Sequence, residues 1–387
     1  MAQIAKRVFE LATESALDVL LKAKALEAKG RKIIHLEVGE PDFPTPPHIV
    51  EAGIQALRDG RTRYGAAPGT IELREALAEH LRERGTQATA DRVLVTPGAK
   101  PILFYGLLAT VSHGDEVLVP DPGFPIYPSM VRFCGGVPVP IPPMIAEGKP
   151  MNLDVLEASI TPKTRAVIIN SPSNPTGASM SDADLQRLAA LAQKHDLWVL
   201  ADEIYRRISY GPTPSSIAAL PGMDERTIII DGFSKSYAMT GWRLGYGLFP
   251  QSLAQHAVRL MINSNTCTAT FVQDAGLAAI RGPQDVVAKM TAEFKVRRDA
   301  LTRWLSAIPG VTCHVPDGAF YVFPDVRKLP LPAADLADKL LNEEGVALLD
   351  GAGFGANGRG HLRMSFAASL PSLEEAASRF ARLASRL

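Results

Sequence analysis

The most informative run in this 387-residue chain is Gly232-Phe-Ser-Lys-Ser-Tyr-Ala-Met-Thr-Gly-Trp-Arg-Leu-Gly-Tyr246. It places one lysine, Lys235, among small and aromatic residues, and one arginine, Arg243, in an apolar run that ends in glycines. A lysine in such surroundings has no obvious role on a solvated surface, and buried lysines are rare and usually paired. From the residues alone, Lys235 is therefore either a catalytic amine or one half of a buried ion pair.

Composition and charge exclude several classes of protein. Lys and Arg number 41, and Asp and Glu also number 41, so no excess of charge favours a nucleic acid or an anionic membrane as partner. Hydrophobic residues make up 46% of the chain, yet no apolar run approaches the ~18 residues of a membrane span. The length suggests two or three domain-sized units, and the composition predicts a soluble globular protein.

The N-terminus and the cysteines indicate the cellular compartment in which the protein folds. Residues 1–10 lack the basic and then apolar layout of a secretory signal, so a cytoplasmic location is expected. Cys134, Cys267 and Cys313 are odd in number and far apart, without Cys-x-x-Cys spacing. They indicate neither a disulfide framework nor a zinc site, and no metal is expected.

From Arg92 onward, short apolar strands alternate with helical segments. This alternation predicts an α/β protein whose mainly parallel sheet is covered on both faces. The predicted strands of this region are 93–96, 116–119, 166–170, 198–201, 227–231 and 244–249. Ligands bind beyond the carboxyl ends of the strands in such sheets, and the chemically suggestive residues of this region lie at those ends.

Two of these strand ends indicate chemistry from the residues alone. Thr96-Pro-Gly-Ala-Lys100 leads from a strand into an apolar helix, and free N–H groups at a helix N-terminus suit a phosphate, although many such turns carry glycine. Asp202 follows a buried-looking strand, where a carboxylate is costly unless a cation meets it. By contrast, Phe124 would ordinarily be a packing residue, and Asn170-Ser-Pro-Ser-Asn-Pro-Thr-Gly177 an ordinary loop.

Beyond about residue 284 the pattern changes to a second, smaller α/β unit that begins with a long charged helix through Leu305. Arg363 is embedded in a predicted strand of this unit and needs an anion, for which an internal salt bridge is the ordinary explanation. Gly351-Ala-Gly-Phe-Gly355 has the composition of a nucleotide-binding loop but not the setting or spacing of a dinucleotide fingerprint. The remaining predicted helices are at 15–29, 48–58, 71–84 (capped by Thr70), 101–109 and 334–344, with a last helix from Ser372. The remaining predicted strands are at 33–38, 311–314, 319–323, 346–349 and 362–366.

The run 232–246 resembles, residue by residue, the cofactor-lysine signature of the class I/II aminotransferases, pyridoxal-phosphate (PLP) enzymes of fold type I in the aspartate aminotransferase superfamily. At least seven family motifs occur in the family's order between Ile33 and Phe366, including Gly39-Glu-Pro-Asp-Phe43 and Asn174-Pro-Thr-Gly177. The resemblance implies an α/β fold with a mainly parallel seven-stranded sheet in a large domain, helices on both of its faces, and a smaller α/β domain. The expected division is an N-terminal segment 1–45 that packs with the small domain, a large PLP-binding domain 46–283 and a small C-terminal domain 284–387.

The resemblance also implies roles around the cofactor ring. Lys235 would form the Schiff base with PLP and then act as the general base. Asp202 would keep the pyridine nitrogen protonated, so that the ring accepts electrons. Asn174 and Tyr205 would hydrogen-bond the phenolic oxygen O3′, and Phe124 would stack on the ring. The Asn174-Pro175 bond is expected to be cis.

The phosphate site implied by the resemblance combines the side chain of Arg243 with the backbone amides of Ala99 and Lys100. The chain departs from one common form of the family pattern at Gly232, where a serine often binds the phosphate. One phosphate hydrogen bond is therefore lost or comes from another donor, for which Ser234 is the candidate.

The substrate and partner sites implied by the resemblance involve four residues. The Gly39 backbone N–H, Asn174 and the bidentate fork of Arg363 would bind the substrate α-carboxylate. Tyr64, which by itself would be taken as a packing residue, opens the pattern Tyr-x-x-x-x-Gly-x-x-x-Leu-Arg. In the family this tyrosine reaches the PLP phosphate of the partner subunit, which implies a homodimer.

Together these roles imply a PLP-dependent aminotransferase that moves an amino group from an L-amino acid to a 2-oxo acid by a ping-pong mechanism. A carbon–sulfur β-lyase or a cyclase on the same scaffold would keep Lys235, Asp202 and Arg363, so product analysis is needed to separate them. A PLP-responsive transcription regulator would need a DNA-binding module before the family pattern, which begins here by residue 33. No arginine is placed by motif to hold a second carboxylate, and aromatic, alanine-like and broad specificities stay open.

Overall fold

The computed structural model describes residues 3–12, 15–213 and 215–387 of the chain. Met1 and Ala2, which belong to the stretch inspected for a secretory signal, lie outside the described residues. Within the described part, no helix is both long enough and apolar enough to cross a membrane. The strands of the described residues form sheets of seven, three and two strands.

The strands are, in chain order, β1 (Ile34–His35), β2 (Val93–Thr96), β3 (Glu116–Pro120), β4 (Val137–Ile141), β5 (Thr164–Asn170), β6 (Trp198–Asp202), β7 (Thr227–Gly232), β8 (Gly245–Leu248), β9 (Tyr321–Val322), β10 (Val346–Ala347), β11 (Leu349–Asp350) and β12 (Leu362–Ser365). The seven-stranded sheet has the order β2-β8-β7-β6-β5-β3-β4. Strands β4, β3, β5, β6 and β7 pair in parallel, whereas β8 is antiparallel to both of its neighbours. The predicted mainly parallel seven-stranded sheet is confirmed.

One strand of this sheet, β4, is absent from the predicted strands. Its sequence Val137-Pro-Val-Pro-Ile141 contains two prolines, which argue against a strand in a sequence reading. Strand β4 lies at the end of the sheet order beside β3. Proline is tolerated at a sheet edge because its missing N–H is not needed by a second neighbour.

The helices are α1 (Ser15–Glu27), α2 (Pro47–Arg58), α3 (Ile71–Arg82), α4 (Lys100–Thr110), α5 (Ile126–Phe133), α6 (Leu153–Ala158), α7 (Asp182–Lys194), α8 (Gln251–Ser264), α9 (Thr270–Arg281), α10 (Asp285–Ser306), α11 (Ala333–Asn342) and α12 (Leu370–Ala384). Thr70 lies at the N-cap of α3, but its side chain makes no capping hydrogen bond. Its backbone N–H instead donates to Gln273 Oε1 of α9 at 2.7 Å, so this helix start is held by a tertiary contact.

Successive residues of the central strands enter separate cores on the two faces of the sheet. Ile168 of β5 belongs to the same hydrophobic cluster as Ile102 of α4. Its neighbour Val167 belongs to the cluster that contains Leu188 of α7. Helices therefore cover both faces, and the carboxyl ends of the parallel strands are left as the edge where a ligand can bind.

The C-terminal elements form a separate core around the antiparallel sheet β11-β12-β9. Strand β1 pairs in parallel with β10, which joins the N-terminal segment to these elements. The predicted strand at 311–314 is wrong, because this stretch contributes a single bridge between Thr312 and Asp325. The division at 45/46 and 283/284 stays a prediction.

Candidate active site

A cavity of about 430 Å³ opens at the carboxyl edge of the central sheet, facing β9, β12 and the start of α1. Its walls include ten of the eleven residues singled out from the sequence: Gly39, Ala99, Lys100, Phe124, Asn174, Asp202, Tyr205, Lys235, Arg243 and Arg363. The eleventh, Tyr64, does not line the cavity and is 86% exposed. Residues from distant parts of the chain thus meet in one cavity, although their roles stay predictions.

Lys235 follows β7 and is half-buried in the cavity wall. Its Nζ donates a hydrogen bond of 2.6 Å to the backbone carbonyl of Gly39. The same Nζ lies 6.0 Å from the ring centroid of Phe320. These contacts aim the amine into the cavity, where it can reach a bound molecule.

Asp202 ends β6 and lies on the cavity wall with both carboxylate oxygens hydrogen-bonded. The hydroxyl of Tyr127 donates to Oδ2 at 2.7 Å, and the backbone N–H of Ile204 donates to Oδ1 at 3.2 Å. Burial raises the pKa of Asp202 to about 6, although both donors act to lower it. A cation placed against this carboxylate would therefore be strongly favoured.

An anion site lies where β2 leads into α4. The turn is shaped by Thr96, whose hydroxyl donates to the carbonyl of Gly98 at 2.7 Å. A Cβ on Gly98 would lie 2.4 Å from Nη2 of Arg243, and a Cβ on Gly245 would lie 2.4 Å from the amide nitrogen of Ala99. The missing side chains let the Arg243 guanidinium lie against the N-terminus of α4, so a positive side chain and a positive helix end meet.

Gly232, the departure from the family pattern, has a packing reason in the structure. It pairs with Gly245 across β7 and β8, and a Cβ on Gly232 would come within 3.0 Å of the Gly245 Cα. A side chain at residue 232 would crowd this strand pair. Ser234, the candidate replacement donor, lines the cavity.

Arg363 of β12 is buried between two aromatic rings. Its Cζ lies 4.6 Å from the ring centroid of Tyr321 and 5.1 Å from that of Phe354. Nη1 donates to Asn174 Oδ1 at 3.3 Å, and Nη2 donates to the backbone carbonyl of Glu37. These two hydrogen bonds and the two flanking rings orient the guanidinium.

Two tyrosines face each other beside Lys235 and Arg363. The hydroxyls of Tyr205 and Tyr321 are 2.8 Å apart, and burial raises the pKa of Tyr205 well above its ordinary value. Tyr205 therefore stays a neutral phenol. Tyr321 also packs on Gly39, where an added Cβ would lie 2.0 Å from its hydroxyl oxygen.

Sequence reasoning missed three aromatic residues of this site. Tyr321 and Phe354 line the cavity, and Tyr127 contacts Asp202. For Tyr127 a signal was present, because it follows Phe124 by three residues and lies in the first turn of α5. Tyr321 lies in an apolar strand pattern that is indistinguishable from core packing, so it carried no signal.

The Asn174-Pro175 peptide bond is cis, as expected from the sequence. Asn174 is buried and its backbone N–H donates to Asn170 Oδ1 at 2.7 Å. Asn170 in turn donates through Nδ2 to the backbone carbonyl of Asp202 at 3.1 Å. The ends of β5 and β6 are thus tied together, which sets the spacing between Asn174 and Asp202.

The chain is similar to known proteins over its full length. The family described as aminotransferase class I and II matches residues 31–380. The aspartate aminotransferase of Rhizobium meliloti (strain 1021) is 37% identical over 402 residues, which cover 100% of this chain and 97% of that protein. The aromatic-amino-acid aminotransferase 2 of Thermococcus litoralis is 39% identical over 356 residues, which cover 91% of each. The structure of the aspartate aminotransferase from Thermus thermophilus with maleate matches with a TM-score of 0.95 and 37% identity, covering 99% of this chain and 100% of that chain.

The fold is therefore that of the fold type I pyridoxal-phosphate enzymes. The chain belongs to the class I and II aminotransferases of the aspartate aminotransferase superfamily, and it is a PLP-dependent aminotransferase. The family, the fold, the cofactor and the amino-transfer activity expected from the sequence are confirmed.

The residues of the cavity fit this cofactor. The glycine-lined approach of Arg243 to the α4 N-terminus suits a phosphate, the Lys235 amine suits an aldehyde, and the Asp202 carboxylate suits a protonated pyridine nitrogen. Each group has the chemistry that one part of PLP requires.

Proposed function

We propose that this aminotransferase moves the amino group of an L-amino acid to a 2-oxo acid in the cavity between Lys235, Asp202 and Arg363. The observation that carries the proposal is that an amine, a half-buried carboxylate and a buried guanidinium line one cavity of about 430 Å³. When bound, PLP supplies an aldehyde carbon and an electron-accepting ring.

Lys235 would hold the cofactor through its Nζ, and once a substrate amine has freed that Nζ it would act as the general base that takes the proton from the substrate Cα. Its hydrogen bond to the Gly39 carbonyl, 2.6 Å long, keeps the amine at the cavity wall. A general base must lie within hydrogen-bond reach of the proton that it removes. The hydrogen bond to Gly39 keeps Lys235 Nζ beside the cavity, where a substrate proton can come within that reach.

Asp202 holds a proton on the pyridine nitrogen, and burial of the carboxylate strengthens this pairing. With PLP bound, Tyr205 and Asn174 would hydrogen-bond its phenolic oxygen, and Phe124 would pack on its ring. Arg243, Ser234 and the backbone N–H groups of Ala99 and Lys100 would bind its phosphate.

Arg363 binds the substrate α-carboxylate with its planar fork. Asn174 and the backbone N–H of Gly39 complete this subsite. Because Arg363 is sandwiched between Tyr321 and Phe354, the fork is held in one orientation before substrate arrives, which lowers the entropy cost of binding.

We further propose a cytoplasmic homodimer in which Tyr64 reaches the phosphate site of the partner. Tyr64 is 86% exposed and lies in the loop between α2 and α3, so its hydroxyl is available to a second chain. The three cysteines are all free, which suits a reducing compartment. Sedimentation at micromolar concentration, with Tyr64→Phe measured for PLP affinity, tests the dimer and the contact separately.

The experiment that tests the proposed reaction adds single L-amino acids to the PLP-loaded protein without any 2-oxo acid. One 2-oxo acid formed per site, with the loss of the visible absorbance band, is the expected result. Continuous release of pyruvate and ammonia with the band retained would instead show lyase chemistry. Lys235→Ala should abolish both the band and turnover while the far-ultraviolet circular dichroism stays unchanged.

A further inference from the structure

The carboxylate of Asp202 is held by a side chain to which none of the roles above is assigned. Tyr127 lies in the first turn of α5 and is 0% exposed. Its hydroxyl donates to Asp202 Oδ2 at 2.7 Å. Its ring meets that of Phe124 edge-on, with centroids 5.6 Å apart and planes at 82°. One turn of chain therefore supplies both the ring-packing residue and the phenol that holds the carboxylate.

The two oxygens of Asp202 are fixed by donors from different elements. Oδ2 accepts from Tyr127 of α5, and Oδ1 accepts from the Ile204 N–H directly after β6. The backbone carbonyl of Asp202 accepts from Asn170 of β5. Removing the Tyr127 hydroxyl leaves the Asp202 carboxylate with one of its two hydrogen-bond donors, the Ile204 N–H. The orientation of the carboxylate toward the cavity is then no longer fixed at both oxygens.

The charges around Asp202 make this donor important. Burial is the main cause that raises the pKa of Asp202, and the like charges of Asp231 near the end of β7 and of Glu203 add to it. The Tyr127 phenol is the largest opposing influence, followed by the Ile204 N–H. Burial, followed by the charge of Asp202, raises the pKa of Tyr127 well above its ordinary value, so this phenol donates throughout the working pH range. Tyr205, the other phenol beside Asp202, bonds to Tyr321.

We propose that Tyr127 is a positioning residue that keeps the Asp202 carboxylate ionised and oriented for the pyridine nitrogen of PLP. The proposal rests on the proposed role of Asp202. Tyr127 acts through Asp202 and does not contact the reacting atoms.

The test is Tyr127→Phe, which keeps the ring and removes the hydroxyl. The apparent PLP dissociation constant of the cofactor-free protein is measured from pH 5 to pH 9. Loss of a hydrogen bond to a charged group predicts a dissociation constant raised about tenfold at neutral pH. The pH below which PLP affinity falls should also move upward, because Asp202 without this donor takes up a proton more readily.

A spectroscopic measurement reports on the pyridine nitrogen itself. The protein is reconstituted with PLP labelled with nitrogen-15 in the ring, and the chemical shift of that nitrogen is followed with pH. Tyr127→Phe should lose the protonated-nitrogen signal at a pH where the unaltered protein retains it. A packing role alone would not move this signal.

The matched control is Tyr105→Phe. Tyr105 is a buried tyrosine of α4 in the same hydrophobic cluster as Tyr127, and its hydroxyl bonds to Ser264. This variant loses a buried phenol hydroxyl but leaves Asp202 untouched, so PLP affinity and the nitrogen-15 shift should match those of the unaltered protein.

The double variant decides whether Tyr127 acts through Asp202. In an Asp202→Asn background, Tyr127→Phe should change neither PLP affinity nor the nitrogen-15 shift further. An unchanged affinity, pH profile and nitrogen-15 shift in Tyr127→Phe alone would overturn the proposal, as would an equal additional loss in the double variant. If Asp202→Asn alone left the pyridine nitrogen protonated, the proposed role of Asp202 itself would be wrong, which is a separate failure.

Discussion

Gly39→Ala tests whether the cavity depends on a glycine that lets Tyr321 approach the backbone. A Cβ built on Gly39 lies 2.0 Å from the Tyr321 hydroxyl oxygen and 3.0 Å from its Cζ. The Tyr321 phenol must therefore retreat until these contacts reach the 3.4 Å of ordinary van der Waals contact. Because Tyr321 is buried, it cannot retreat without disturbing its neighbours.

The magnitude follows from the two contacts that Tyr321 would lose. Its hydrogen bond to Tyr205, 2.8 Å long, contributes about 1 kcal/mol. Its stacking on the Arg363 guanidinium, at 4.6 Å, contributes about 1 to 2 kcal/mol when desolvated. Together these predict a loss of about 2 to 3 kcal/mol, which is roughly a 30- to 150-fold fall in kcat/KM for an amino-acid donor.

The assay is stopped-flow absorbance of the half-reaction with one L-amino acid, over a range of donor concentrations. Gly211→Ala is the matched control, because a Cβ there meets nothing within 4 Å, and it should leave kcat/KM within twofold of normal. Adding Tyr321→Phe to Gly39→Ala removes the clashing oxygen and should cost less than the two single changes combined.

A Gly39→Ala enzyme with normal kcat/KM and normal PLP absorbance would refute this reasoning. A loss of PLP without any change in donor kinetics would also contradict it, because the clash lies on the substrate side. Thermal unfolding of the same variant shows whether a loss of activity is a loss of fold.

The remaining predictions concern the charged residues of the cavity and the buried ion pairs of Arg84. In the cofactor-free protein, folding raises the pKa of Asp202 from 3.8 to about 6, so the folded state binds more protons in this window and stability falls as pH rises through it. Asp202→Asn should therefore raise the urea unfolding free energy at pH 7 by at most about 3 kcal/mol, with the gain vanishing below about pH 4. Arg84→Met should lower that free energy by about 3 to 5 kcal/mol, because it removes the buried partner of Asp231 at 2.7 Å and of Glu203 at 3.2 Å. Arg363→Lys keeps the charge but loses the planar fork, so the KM for the amino acid should rise at least tenfold while PLP stays bound.

Each of these predictions has a control or a contradicting result. For Arg84→Met the control is Arg61→Met, which breaks a half-exposed pair with Asp274 at 2.8 Å and should cost under about 1 kcal/mol. An Asp202→Asn protein whose stability has the same pH dependence as the unaltered protein would show that Asp202 is not strained by burial. An Arg363→Lys enzyme with normal KM would place the substrate carboxylate elsewhere.

Much of the fold was predictable because its signals are local. Strand and helix alternation gave six of the seven strands of the central sheet within a few residues, and the seventh, β4, was hidden by its two prolines. The glycine and proline turns at the strand ends marked where the cavity would open. Tyr64 was singled out by a family pattern, and in the single chain it lies outside the cavity, so the role proposed for it would require a second subunit.

The sequence by itself determined the family and with it the cofactor class, because Lys235, Asp202 and Arg363 lie in runs that resemble the family's motifs. Only the tertiary structure decided how these groups are held. Tyr127 meets Asp202 across 75 residues, and Tyr205 meets Tyr321 across 116. Such hydrogen bonds depend on distances of a few tenths of an ångström between side chains of separate elements. Residue type and spacing along the chain do not predict those distances, because the distances are set when the helices and strands pack together.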